Sequence, residues 1–181
     1  VLSRWLARTP VNGVSGDNTV LQEFVEGHLA VMSEHGESVI AHMVKIGHGT
    51  EEAVRPRIES GIAGAREFLL PEGKVVPARA GLLFIESYRE LPLLSWPRRL
   101  IDTVVDLEQA MLLFRSHHAR MVERMIGRRM GTGGSSGVDY LDMTLKYRVF
   151  TDLWEIRTML VKRDALGDPI NPEFYGYAVD N

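Results

Sequence analysis

One histidine stands where chemistry and packing compete. Leu100, Val104, Leu107, Met111, Phe114, His118, Met121 and Met125 follow one another at offsets alternating between four and three. That spacing predicts the apolar face of one long helix and puts His118 at a core position. A histidine there has two readings. It is a buried residue hydrogen-bonded to a carbonyl or carboxylate, or it is a neutral imidazole projecting into an apolar cavity, the usual way to hold haem iron when no thiolate is present. The chain has no cysteine. Neighbouring His117 lies about 100° away around the helix and is expected to be exposed.

Thirteen residues on comes Gly131-Thr132-Gly133-Gly134-Ser135-Ser136-Gly137, with four glycines in seven residues. A Walker A loop would end in Gly-Lys-Ser/Thr, and after this run no lysine appears until Lys146; a dinucleotide fingerprint would follow a strand, and here a helix precedes. Two readings remain. The segment is a plain connector, or its N–H groups and the Thr132, Ser135 and Ser136 hydroxyls close over a small ligand and bind a carboxylate, an ammonium group or a haem propionate.

His28, His35 and His42 recur seven apart. One heptad spans about 10.5 Å of helix, too far for neighbours to share a metal ion. A wet helix flank is one explanation; a single distal acid or base is the other, with mid-helix His35 the candidate. Arg66, Arg89, Arg98 and Arg99 are candidate carboxylate clamps. Gly-x-Ser-x-Gly and His-Glu-x-x-His are both absent, so hydrolase chemistry has no support.

The elements that must position these groups read as helices. Asp17, Asn18 or Thr19 caps a helix running to about Ile46, with Val25, Met32, Val39 and Ile46 on one face. Glu51 to Leu70 is helical in composition but is expected to be interrupted by Pro56, Gly61 and Gly64. Lys74 to Arg79 is expected to be a linker with a short strand. The long helix runs from about Arg98 to Arg129, with Asp102, Asp106, Glu108, Arg115, Arg120 and Glu123 off its apolar stripe. A further helix is expected from Asp139 to Val161, then an irregular surface tail from about 164.

The whole predicts an all-α helical bundle, one domain over residues 1–181. Its 181 residues are 45% hydrophobic and 25% charged, values of an ordinary globular protein. A net charge of -3 argues against nucleic-acid and anionic-membrane partners. The missing cysteines exclude disulfides, iron–sulfur clusters and thiolate zinc sites. No run of 18 apolar residues occurs, and a cytoplasmic protein is expected. The chain starts at Val1 without an initiator Met, so its first residues are expected to be processed, trimmed or missing.

Residues 114–127, Phe-Arg-Ser-His-His-Ala-Arg-Met-Val-Glu-Arg-Met-Ile-Gly, followed by Gly131-Thr132-Gly133-Gly134-Ser135-Ser136-Gly137-Val138-Asp139-Tyr140-Leu141 and by Phe150 to Arg157-Thr158, resemble the C-terminal signature of the tryptophan 2,3-dioxygenase superfamily. The likeness covers roughly Asp106 to Val161. It implies a helical bundle enclosing haem b, with His118 as the iron ligand and Gly131, Phe114 and Met125 around the cofactor. It also implies Thr132, with Gly133, Ser135 and Ser136, against the amino-acid part of the substrate. Glu34-His35-Gly36-Glu37-Ser38 faintly echoes the superfamily's distal-histidine helix. Arg66-Glu67-Phe68-Leu69-Leu70 is a compressed version of its arginine-bearing run, which makes Arg66 a candidate carboxylate partner.

The expected activity is a haem-dependent oxygenase inserting oxygen from O2 or hydrogen peroxide into an aromatic amino acid or indole derivative, as in the biosynthetic hydroxylases of the superfamily. The alternatives are tryptophan 2,3-dioxygenase forming N-formylkynurenine, and a non-catalytic haem sensor or carrier. A homo-oligomer is expected, with Phe84, Tyr88, Trp96 and the aromatic tail offered as its interface.

Overall fold

The computed structural model describes residues 1–129 and 137–176. Among them there is no strand, only an isolated bridge between Val11 and Val14. Eight α-helices occur there in the order α1 (Leu2–Leu6), α2 (Asn18–Lys45), α3 (Glu51–Leu69), α4 (Pro77–Ser87), α5 (Ser95–Ile126), α6 (Val138–Thr144), α7 (Thr151–Glu155) and α8 (Arg163–Leu166). The all-α expectation holds. The chain divides into two compact units, Val1–Arg98 with Glu155–Asn181, and Arg99–Trp154.

The first unit is built around α4. Ala80 through Tyr88 are all buried, and Phe84 is the hub of the aromatic core, with ring centroids 5.3 Å from Phe24, 4.9 Å from Tyr88 and 5.3 Å from Tyr175. Phe84, Tyr88 and Tyr175 are therefore core residues and cannot supply the oligomer interface proposed from sequence. Trp96 does stay 63% exposed, meeting Trp5 edge-on at 5.7 Å. The tail expected to be irregular from about 164 has regular turns among its described residues. It contains α8 and a 3-10 turn over Pro172–Tyr175, and the buried Tyr175 hydroxyl donates to the Pro10 carbonyl at 2.6 Å and accepts from the Gly13 N–H at 2.8 Å.

Helix α2 starts as expected, because the Asp17 carboxylate accepts from the Thr19 and Val20 N–H groups at 2.8 and 3.4 Å. Helix α3 runs unbroken past Pro56, against expectation. Val54, Ala65 and Leu69 are buried, and Arg55 bonds Glu51 on its own helix and Glu37 on α2, so tertiary packing overrides the missing N–H. Residues 74–76 form no strand; Pro77 opens α4 from its first position, where its fixed φ suits a helix.

Helix α1, which the sequence reading missed, docks on α4 through Gly81. A Cβ at Gly81 would lie 2.2 Å from the Leu6 carbonyl oxygen and 3.0 Å from Thr9 Oγ1. Backbone cannot yield as a side-chain tip can. Gly81→Ala is expected to destabilise the chain by about 3 kcal/mol, read as a lowered urea midpoint. The control Gly61→Ala, on α3 with open space around the added Cβ, should be neutral or slightly stabilising.

The second unit carries most of α5 with α6 and most of α7. The expected helix from Asp139 to Val161 is broken: residues 145–150 leave helical geometry, and a 3-10 turn, Ile156–Met159, ends the stretch. The break has a cause. Glu108 on α5, 2% exposed, accepts from the N–H groups of Val149 and Phe150 and from Trp154 Nε1. Backbone N–H groups turned toward that carboxylate are withdrawn from a helical ladder.

Candidate haem-binding site

Helix α5 buries a row other than the one its hydropathy suggests. Its buried residues are Ile101, Val105, Glu108 and Ala119, the apolar row shifted by one position and so by about 100°. Glu108, expected to be solvated, is in that row. The expected core stripe is open instead: Leu107 is 55%, Phe114 69%, Met121 51% and Met125 75% exposed. This corrects the placement of His118 in a packed core.

His118 is half-buried within this stripe, and the Phe114 ring stacks on its imidazole at 6.0 Å and 8° between planes. Among the described residues it has no hydrogen-bond partner. A half-buried side chain is not the fully buried core histidine of the first reading. His117 is exposed, as expected, and lines a shallow groove with Arg120, Met121, Arg124 and Met125.

The described residues on either side of the glycine-rich segment are well anchored. Gly127 ends α5 at φ 65°, its N–H bonded to the Glu123 carbonyl at 2.9 Å, and Gly137 precedes α6 at φ 62°, conformations suited to residues without a Cβ. Arg128 bridges Glu123 on α5 and Asp139 on α6 at 3.1 and 2.7 Å, while Arg120 binds Glu123 at 2.8 Å and also Asp142. Exposed pairs of this kind contribute little singly, but together they hold two helix ends in one register. Below them, Arg115 donates to the Thr144 and Tyr147 carbonyls at 3.3 and 3.2 Å. Gly131, Thr132, Gly133, Ser135 and Ser136, the cofactor and substrate positions expected from the loop, lie outside the described residues.

The three histidines of α2 separate by environment. His42 is exposed, His35 is half-buried, and His28, 2% exposed, is part of the core. Its Nε2 lies 2.8 Å from the Met159 carbonyl; that oxygen only accepts, so Nε2 carries the proton and the lone pair sits on Nδ1. Sequence spacing alone did not separate His28 from its two partners. Arg66 is exposed on the last turn of α3.

Burial holds the His28 imidazole below its ordinary pKa, the Met159 hydrogen bond offsetting part of the effect. Between the lowered native value and the ordinary one, the unfolded chain binds more protons at this site. Stability should therefore be flat above about pH 6.5 and fall as the pH drops below it, by at most about 1.4 kcal/mol per pH unit for one proton. Urea titrations should show the decline, and His28→Gln should remove this component.

The tryptophan 2,3-dioxygenase family model matches residues 2–160. The chain belongs to this family. A tryptophan 2,3-dioxygenase-like protein of Xanthomonas campestris pv. campestris is 42% identical over 187 residues, covering 97% of this chain and 69% of its own length. The tryptophan 2,3-dioxygenase of Sorangium cellulosum and tryptophan 2,3-dioxygenase 2 of Ralstonia nicotianae are each 42% identical, covering 99% and 91% of this chain but only 47% and 48% of their own. The chain thus spans about half the length of those two relatives.

The family is one of haem-dependent dioxygenases, in agreement with the expected enzyme class. The residues described here fit that cofactor: the half-buried His118 imidazole stands in a row of exposed apolar side chains that a flat apolar ring could cover. Among the described residues no three His, Asp or Glu side chains are grouped to hold a metal ion directly, and no helix is long and apolar enough to cross a membrane.

Proposed function

We propose that His118 is the axial ligand of haem b and that the chain serves ring-opening dioxygenation of an aromatic amino acid of the tryptophan type. The observation that carries this reading is the open α5 stripe around an imidazole with no hydrogen-bond partner among the described residues. Of the activities expected from sequence, the family and its named relatives favour dioxygenation over the hydroxylation put first there.

Haem, when bound, supplies the site where dioxygen is activated. The chain's own residues supply the rest. Phe114, Met121 and Met125, exposed on the open α5 face, would hold the haem by apolar contact and keep water from the site. The N–H groups of Gly131 and Gly133 with the Thr132, Ser135 and Ser136 hydroxyls would hold the substrate's ammonium and carboxylate groups. His35, on α2, would serve as the acid or base toward the substrate's ring N–H.

Mass spectrometry of the product formed from L-tryptophan under 18O-labelled dioxygen tests the reading. Ring opening incorporates two labelled atoms and gives N-formylkynurenine. One labelled atom would restore the hydroxylase, unlabelled oxygen taken from added peroxide would change the oxidant, and haem binding without turnover of tryptophan or tyrosine would leave a carrier. Turnover unchanged in His35→Ala would remove that residue's role.

A further inference from the structure

Phe114 and His118 stand one turn apart on α5, and side chains on a helix lean back over the turn before them. The His118 ring thereby comes to lie against Phe114. Their centroids are 6.0 Å apart and their planes 8° from parallel, an offset stack. A histidine that binds a metal is ordinarily oriented by a hydrogen bond from its other ring N–H to a carboxylate or carbonyl. Among the described residues none reaches His118, and Phe114 is its one ring contact there. Arg115, on the preceding turn, is committed to the Thr144 and Tyr147 carbonyls.

We propose that Phe114 is a positioning residue of the haem site: its ring, stacked on the His118 imidazole, sets the plane that this ligand presents to the iron. The inference rests on His118 being the axial ligand. The outer side-chain torsion of histidine has no steep preference of its own, so a ring without a partner samples a range of planes. A flat ring against one face removes much of that range before the cofactor arrives, and order already present is not paid for again on binding. The stack obstructs neither nitrogen, because each lone pair lies in the imidazole plane while Phe114 covers a face. Phe114 is itself 69% exposed. No enclosing core dictates its ring plane, and the contact with His118 is what aligns the two.

Phe114→Leu keeps an apolar side chain on the open face and removes the flat ring; Phe114→Tyr keeps both. In the haem-free full chain the His118 ring-proton resonances, assigned by their loss in His118→Gly, should move in Phe114→Leu and stay close to wild type in Phe114→Tyr. Titrated with haemin, Phe114→Leu should bind about two- to tenfold more weakly, the worth of one aromatic pair, and Phe114→Tyr within about twofold of wild type. The iron–histidine stretching band of the reduced, haem-loaded chain should shift or broaden in Phe114→Leu alone. Leu113→Ala, at an exposed position about 140° around the helix from His118, should change none of these readouts. Unmoved His118 resonances or an unaltered iron–histidine band in Phe114→Leu would overturn the proposal, as would identical behaviour of Phe114→Leu and Phe114→Tyr. If the resonances move as expected but wild type shows no iron–histidine band, the proposal falls with the ligand assignment, and the stack of the two rings is not what failed.

Discussion

Glu108→Ala is expected to cost about 2–4 kcal/mol of stability. The carboxylate satisfies three donors that have no other acceptor on the described backbone: the Val149 and Phe150 N–H groups and Trp154 Nε1. Burial opposes its ionisation, yet the hydrogen bonds from Phe150, Trp154 and Val149 outweigh that and hold the carboxyl below its ordinary pKa. Alanine leaves the donors without their anion and a void where the side chain lay. Val149 is 59% exposed, so water reaches part of the site and keeps the loss below that of a fully enclosed charge.

The damage should be local enough to see. The Arg148 guanidinium sits 4.0 Å over the Trp154 ring, so the mutant's fluorescence should lose the contribution of this tryptophan's ordered environment before global unfolding. Sign and pH follow from the lowered pKa. Glu108 stabilises fully above the ordinary carboxylate range and loses that contribution as the pH falls through it, because the unfolded chain takes up the proton first. Urea titrations should show the gap between wild type and mutant begin to narrow as the pH falls below the ordinary carboxylate range, without closing, since a protonated glutamic acid still fills the space that alanine leaves. Equal stability of the two at neutral pH would show that the clamp carries nothing.

The same residue explains what could and could not be read from the sequence. Asp17 announces α2 because a cap works through its own backbone neighbours, a local effect written in local residues. The length of α5 is legible for the same reason. The buried side of α5 is not, since the row it packs contains Glu108 and Arg115 while the greasier row beside it stays open. Hydropathy ranks the two rows in the wrong order, because polar groups pay their way here only through partners 29 to 46 residues distant in the chain. Unbroken α3 and buried Tyr175 were hidden likewise: Glu37 across from Arg55, and Gly13 beside the Tyr175 hydroxyl, cannot be inferred from nearby residues. His118 and the glycine-rich loop were legible as candidates since their chemistry lies in residue type and short spacing.

His118→Gly is expected to weaken haem binding by more than about 100-fold, because loss of a residue that merely orients a metal ligand already costs 10–100-fold. The Soret band seen when the wild-type chain is titrated with haemin should fall toward that of free haemin, and millimolar imidazole should restore it by entering the space the side chain vacated. Glycine also weakens a helix interior by about 1 kcal/mol, and that alone could disturb α5. His117→Gly supplies the control. It places the same backbone penalty one residue away, on a side chain that is exposed and points about 100° around the helix. If the two mutants bind haemin equally well, His118 is not the ligand, and the open stripe of Phe114, Met121 and Met125 needs another occupant. If only His118→Gly loses the band and imidazole brings it back, the imidazole rather than the helix is what the cofactor required.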